Sequence, residues 1–214
     1  MTAYSDEWKR LGLNFDGILT GFLASREQVL IVHRFLREFK NDKTITVIDP
    51  VMGDNGRLYS TYSEKLAMDM KSLVPYADVI TPNLTEACIL TDTEYCEDMD
   101  GEALIRICER LCDMGAGAVV ISGISRGEDL ENVVYERGAA SVVREHKVGS
   151  CRAGTGDVFS SVIAADLVRG KSLVDSVKHA SAFIAKALRR TAEMDMPRED
   201  GVCFEELLTE IERC

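Results

Sequence analysis

Short β-branched runs alternate with amphipathic stretches along this chain, and that alternation sets the first expectations. Residues 15–20 and 44–49 read as strands, the first ending in a turn at Gly21 and the second stopped by Pro50. Between them, Val29, Val32, Leu36 and Phe39 recur along one helical face of residues 25–40, and Ser25 with Gln28 has the spacing of a capping box. Residues 63–73 follow as a helix, 78–81 as a short strand stopped by Pro82, and 83–90 as a short helix. A helix over 101–114 ends at Gly115, and a strand over 118–122 comes next. Residues 132–136 and 139–145 predict a hairpin turning at Arg137-Gly138. Helices over 155–169 and 172–193 and a closing helix over 204–213 complete the chain. This order predicts an α/β protein of three layers, a mainly parallel central sheet with helices on both faces, in a single domain spanning 1–214.

Composition narrows the function classes. Hydrophobic residues make up 46% and charged residues 29% of 214, enough apolar material for one core and too much for a disordered chain. The 25 basic against 36 acidic residues give a net charge of −11, which argues against a nucleic-acid groove or an anionic membrane surface. No apolar run reaches membrane-spanning length, and Met1-Thr2-Ala3-Tyr4 lacks the basic start and apolar stretch of a secretory signal, so the expected location is cytoplasmic. The seven cysteines form no C-x-x-C pair and are expected as free thiols, with Cys108 and Cys112 on one helix face as small apolar residues.

In a sheet of this kind ligands meet the carboxyl ends of the strands. Those ends carry the unusual residues. Gly154-Thr155-Gly156-Asp157 opens a helix with exposed N–H groups, which suits a phosphate or a developing negative charge, and Asp157 could act as a general base toward an alcohol. Taken alone, the same residues read first as a tight turn with an acid placed against the helix dipole. Asp49-Pro50-Val51-Met52-Gly53-Asp54 sets two carboxylates at a strand end, as a Mg²⁺ shared with substrate phosphates requires; a loop whose acids bond their own backbone is the other reading. Thr81-Pro82-Asn83-Leu84-Thr85-Glu86 has N-x-x-E spacing, itself a capping signature and compatible with orienting metal-bound water. His33 and His179 read as structural, His146 stands at a strand end as a candidate ligand, and Arg189-Arg190 reads as a solvated patch.

Taken together and in this order, the three stretches resemble the ribokinase superfamily and, within it, the pyridoxal (pyridoxine, pyridoxamine) kinases, over about residues 14–190. The resemblance implies a ribokinase-like fold and ATP-dependent phosphorylation of the 5′-hydroxymethyl of a B6 vitamer. It implies Asp157 as the base and Gly154, Thr155 and Gly156 as the anion hole. Asp49 and Asp54 would face phosphates and cations, and Asn83 and Glu86 would hold Mg²⁺ through water, with Thr81 close by. Ser122, Gly123, Val148, Gly149 and Ser150 match positions near the nucleotide, and Phe22 and Tyr59 match positions near the substrate or its covering loop. ATP and Mg²⁺ are the implied cofactors, with a monovalent cation as a candidate addition, and a homodimer the implied assembly. The hydroxymethylpyrimidine kinases of thiamine synthesis have the same fold and similar motifs, but typically carry Cys where this chain has Asp157. Against the family pattern the chain starts about a quarter of the way in, and nothing before Phe15 reads as a replacement for the leading strands, part of a flap and contacts to the pyridine ring. That departure makes a catalytically impaired nucleotide-binding or dimerisation fragment a third reading. It also predicts an uncovered edge near residues 15–19, self-association and weak or absent pyridoxal turnover, with nucleotide binding better retained.

Overall fold

The structure, a computed structural model, describes residues 1–149 and 152–210. Its main sheet has six strands: β1 (Gly17–Thr20), β2 (Ile45–Ile48), β5 (Val79–Ile80), β6 (Ala118–Arg126), β7 (Asp129–Glu136) and β8 (Ala139–His146), side by side in that order. The first four run parallel; β6, β7 and β8 form an antiparallel meander. Each parallel crossover is helical: α2 (Arg26–Phe39) joins β1 to β2, α3 (Glu64–Lys71) leads to β5, and α4 (Leu84–Leu90) and α5 (Gly101–Asp113) lead to β6.

Alternation along the strands builds the layers. Ile18, Ile48 and Ile80 pack against α2–α5 on one face. Val47, Val79 and Val120 pack on the other against α6 (Thr155–Val168) and α7 (Leu173–Glu193). Each helix on the first face turns a 3.6-period stripe inward, as with Leu104, Ile107, Cys108 and Leu111 of α5. Cys108 is buried and Cys112 half-buried, consistent with their apolar reading.

The structure departs from the sequence expectations in four places. A helix, α1 (Thr2–Arg10), precedes β1 and sets Trp8 edge-on to Phe15 and Phe35, at centroid distances of 5.5 and 5.8 Å. Residues before Phe15 therefore do cover part of this aromatic surface, although β1 remains the outermost strand. Strands β3 (Gly53–Asp54) and β4 (Arg57–Leu58) make a small hairpin inside the loop after β2. β6 continues past Ser122 to Arg126, because a bulge between Ile121 and Ile124 absorbs the glycine without ending the ladder. Near the C-terminus, Glu205–Glu210 is 3₁₀ helix rather than α-helix, and the rest of the expected closing helix lies outside the described residues. No helix among the described residues is long and apolar enough to cross a membrane.

Candidate active site

Three backbone hydrogen bonds extend the parallel ladder past the formal strand ends. Asp49 N–H donates to the Thr20 carbonyl (3.1 Å), Thr81 N–H to that of Ile48 (3.0 Å), and Ser122 N–H to that of Pro82 (2.9 Å). Thr20, Asp49, Thr81 and Ser122 thus stand side by side along the carboxyl edge of the sheet. Helix α6 begins at the same edge and adds Ser160, whose hydroxyl donates to Asp49 Oδ2 (3.0 Å). Asp49 is 5% exposed, and burial, with a further push from Asp157, raises its pKa to about 7 against the Ser160 bond.

Glu86 is 3% exposed and raised further, to about 8, mainly by burial. Its two oxygens have separate structural duties. Oε2 accepts from Asn83 N–H (2.9 Å) and, with the Asn83 side chain accepting from Glu86 N–H, closes the capping box of α4. Oε1 accepts from Met52 N–H (3.1 Å) and ties down the turn before the β3–β4 hairpin. Asn83 Nδ2 donates to the Gly53 carbonyl and Gly56 N–H donates to Thr85 Oγ1, so with the Met52 bond the T-P-N-L-T-E stretch holds that hairpin and the turn before it at three points. The capping function of Asn83 and Glu86 is therefore present, and the second use of Glu86 brings it into the same acidic cluster as Asp49.

Gly154 caps α6 with φ +85, a left-handed backbone that favours glycine, and among the described residues no side chain takes up the N–H groups of the first turn. Helices α2, α3, α4, α5 and α7 all have such a side chain: Ser25, Ser63, Asn83, Asp100 and Ser172. Asp157 is exposed in this first turn, its Oδ1 lying 3.8 Å from where a Cβ on Gly21 would sit. The tip of α6 separates two cavities. Thr155 and Gly156 line one of about 150 Å³ together with Ser122, Gly123 and Val148, walled by Phe159, Ile184 and Leu188. Gly154 and Asp157 line the other, of about 400 Å³, with Val158, Phe183, Phe204 and Leu208.

Other expected residues fall at the margins. Phe22 follows Gly21 and stands exposed with its ring on Tyr62, at 5.7 Å. Tyr59 closes the hairpin, its N–H on the Met52 carbonyl. Asp54 is exposed and its carboxylate accepts from Asn55 N–H and Nδ2 (2.8 and 3.0 Å), the bonding of a self-bonded turn. Gly149 follows Val148 at the cleft rim, and Ser150 lies outside the described residues. His146 lines the cleft beside Ser122 and Gly123 and faces Asp129 (3.4 Å), whereas His33 bonds Ser72 and His179 bonds Asp166. Arg190 pairs with Glu206 and Glu193.

The donor set can be tested for a cation. The charges acting on Asp49 and Glu86 are acidic, and the buried hydroxyls of Thr20 and Thr81 find no partner among the described residues. Hard oxygen donors of this kind suit Mg²⁺. Among the described residues no three His, Cys, Asp or Glu side chains converge closely enough to cage a metal. The residues present therefore fit an ion held largely through water and phosphate oxygens.

Comparison with known proteins places this geometry. The family model described as phosphomethylpyrimidine kinase matches residues 11–201. The chain belongs to the phosphomethylpyrimidine kinase family. The pyridoxine/pyridoxal/pyridoxamine kinase of Bordetella avium is 31% identical over 86% of this chain, and the chain spans 64% of that relative's length. The pyridoxal kinase of Lactobacillus plantarum superposes with a TM-score of 0.89 at 28% identity, over 98% of this chain and 75% of that one. That of Staphylococcus aureus, in complex with AMP-PCP and pyridoxal, gives 0.72 at 25% identity, over 85% and 64%. The ribokinase-like fold read from the three motifs is thus the observed one.

Sequence reasoning missed Ser160, Asn132, Ser181 and Thr85. Ser160 had a faint signal, a hydroxyl three residues after Asp157 on a flank that is otherwise apolar. Asn132 had another, an amide opening the β-branched run Val133-Val134, where such residues are depleted.

Proposed function

We propose that this chain transfers the γ-phosphoryl group of ATP to the 5′-hydroxymethyl of a B6 vitamer. The observation that carries the reading is the uncapped tip of α6, with Asp157 and free first-turn N–H groups standing between two cavities. Phosphoryl transfer needs little covalent help from a protein; it needs in-line positioning and donors where charge develops. The nucleotide occupies the cleft lined by Ser122, Gly123, Val148 and Thr155, and the acceptor alcohol lies on the Asp157 side. Its oxygen attacks the γ-phosphorus, the bond to the β-phosphate oxygen breaks, ADP leaves, and the alcohol proton passes to the Asp157 carboxylate. The N–H groups at Thr155 and Gly156 meet the transferring oxygens. Asp49, Glu86 and Thr81 would hold Mg²⁺ through its water shell, and that ion supplies neutralisation of phosphate charge.

The AMP-PCP and pyridoxal bound by the Staphylococcus aureus relative support both substrates. A second reading, with hydroxymethylpyrimidine or its phosphate as acceptor, is favoured by the description of the matching family. Asp157 inclines the choice to the B6 vitamer. Coupled ADP-release assays with pyridoxal, pyridoxine and hydroxymethylpyrimidine separate the readings. Turnover confined to the B6 compounds is expected; turnover confined to the pyrimidine overturns the first reading, and ADP binding without turnover of either favours a nucleotide-binding fragment.

A further inference from the structure

The backbone at Ser122 and Gly123 owes its shape to a residue outside every motif. Strand β6 pairs Ile121 with Val133 and Ile124 with Glu131 of β7, so two residues, Ser122 and Gly123, oppose the single residue Asn132. A bulge of this kind interrupts the ladder and bends the strand, and Gly123 accommodates it at φ +70. Its N–H then has to be satisfied by something other than the opposing backbone. The Asn132 side chain does this. Oδ1 accepts from Gly123 N–H (3.0 Å), Nδ2 donates to Ser181 Oγ on α7 (3.0 Å), and the Ser181 hydroxyl donates to the Val177 carbonyl (2.7 Å). The amide can point only this way, because the Gly123 N–H accepts nothing. Asn132 and Ser181 are both 6% exposed. From the opposite side, Ser122 bridges to Asn83 and bonds the Pro82 carbonyl. The Ser122–Gly123 edge is thus clamped between the T-P-N turn and a buried relay reaching α7, and Ser122, Gly123, Asn132 and Ser181 all border the same cleft.

We infer that Asn132 is a positioning residue for the nucleotide: through Gly123 it fixes the bulged backbone edge that the nucleotide meets, with Ser181 holding the amide in register. The inference rests on the reading of this cleft as the nucleotide site. The test is Asn132→Leu, close in volume and lacking both bonds. ADP binding by calorimetry and KM for ATP should each weaken about tenfold, roughly what one buried hydrogen bond left unmade is worth. KM for the alcohol acceptor should hold, as should the far-UV spectrum. A merely structural role would lower the melting temperature and the active fraction while the folded protein kept its Kd for ADP, and that result overturns the assignment. Should Asn132→Leu not fold, Ser181→Ala decides. It keeps the Gly123 bond but frees the amide, so a rise of roughly two- to threefold in Kd for ADP supports the relay, and an unchanged Kd overturns it. An unaltered chain that fails to bind ADP overturns the nucleotide reading and this assignment together; a chain that binds ADP equally well with and without Asn132 overturns the assignment alone.

Discussion

Asp157 and Asp49 lie at one sheet edge, yet their surroundings give them opposite work. Asp157 is exposed at the α6 tip, where the proposed alcohol acceptor would meet it. Asp157→Asn should therefore lower kcat by about 10²–10⁴, the range for losing a general base, with ADP affinity nearly unchanged. Near-normal turnover of that variant would remove Asp157 from the reaction. Asp49 is buried beside Ser160, and its pKa is raised from the ordinary 3.8 to about 7. Its ionisation opposes folding. The penalty is absent while the carboxyl is protonated in both folded and unfolded chains, grows as pH rises above 3.8, and is complete above about 7. Asp49→Asn keeps an oxygen for the Ser160 hydroxyl and removes the charge. The variant should melt with the parent near pH 4 and clearly above it at pH 8 in metal-free buffer. Thermal melts across that range check this; parallel curves would mean that Asp49 is not desolvated as the geometry requires.

At the scale of elements, the acidic cap of α4 does more than its spacing announces. A glutamine at position 86 preserves an ordinary capping box. Here both carboxylate oxygens accept, one from Asn83 N–H and one from Met52 N–H. Glu86→Gln must turn its NH₂ toward one of these donors, so it should cost roughly 1–3 kcal/mol, the penalty of an unsatisfied buried group, and loosen the β3–β4 hairpin. Denaturant melts, and hydrogen exchange at Met52 and Gly56, measure the two effects; a fully stable Gln variant would show that one bond suffices. The same contrast explains what was legible beforehand. Helices α2 and α5 were readable because four apolar residues recur on one face, and β2 because a β-branched run ends at a proline. Even there the reciprocal bond of the first cap goes to Ala24 N–H, one residue before Ser25. Helix α1 escaped because its inward side is carried chiefly by Trp8. The hairpin escaped because two-residue strands have no period, and its stability comes from α4, thirty residues away in the chain. The site motifs were visible because their local chemistry is unusual. The groups that aim them, Ser160 and Asn132, act through contacts far apart in sequence and leave almost no local mark.

For the whole molecule, the sheet's two outer strands differ in a way that bears on association. β8 is eight residues long and carries Arg144 and Glu145, charges of the kind that discourage edge pairing. β1 is Gly-Ile-Leu-Thr, without a charge. The Asp16 and Thr20 carbonyls accept from β2, so the N–H and C=O groups of the alternate residues Gly17 and Leu19 point away from it, and no described strand pairs with them. Leu19 is 39% exposed and Phe22, just beyond the strand, 47%. An uncharged edge flanked by exposed apolar side chains favours pairing with a second copy. This chain should therefore run as a dimer by light scattering, with β1 at the contact. Leu19→Lys places a charge on that edge and should shift the species toward monomer, whereas Val142→Lys on the already charged β8 should leave the mass unchanged. A monomeric parent, or a Val142 variant that dissociates as readily as the Leu19 one, would take β1 out of the assembly.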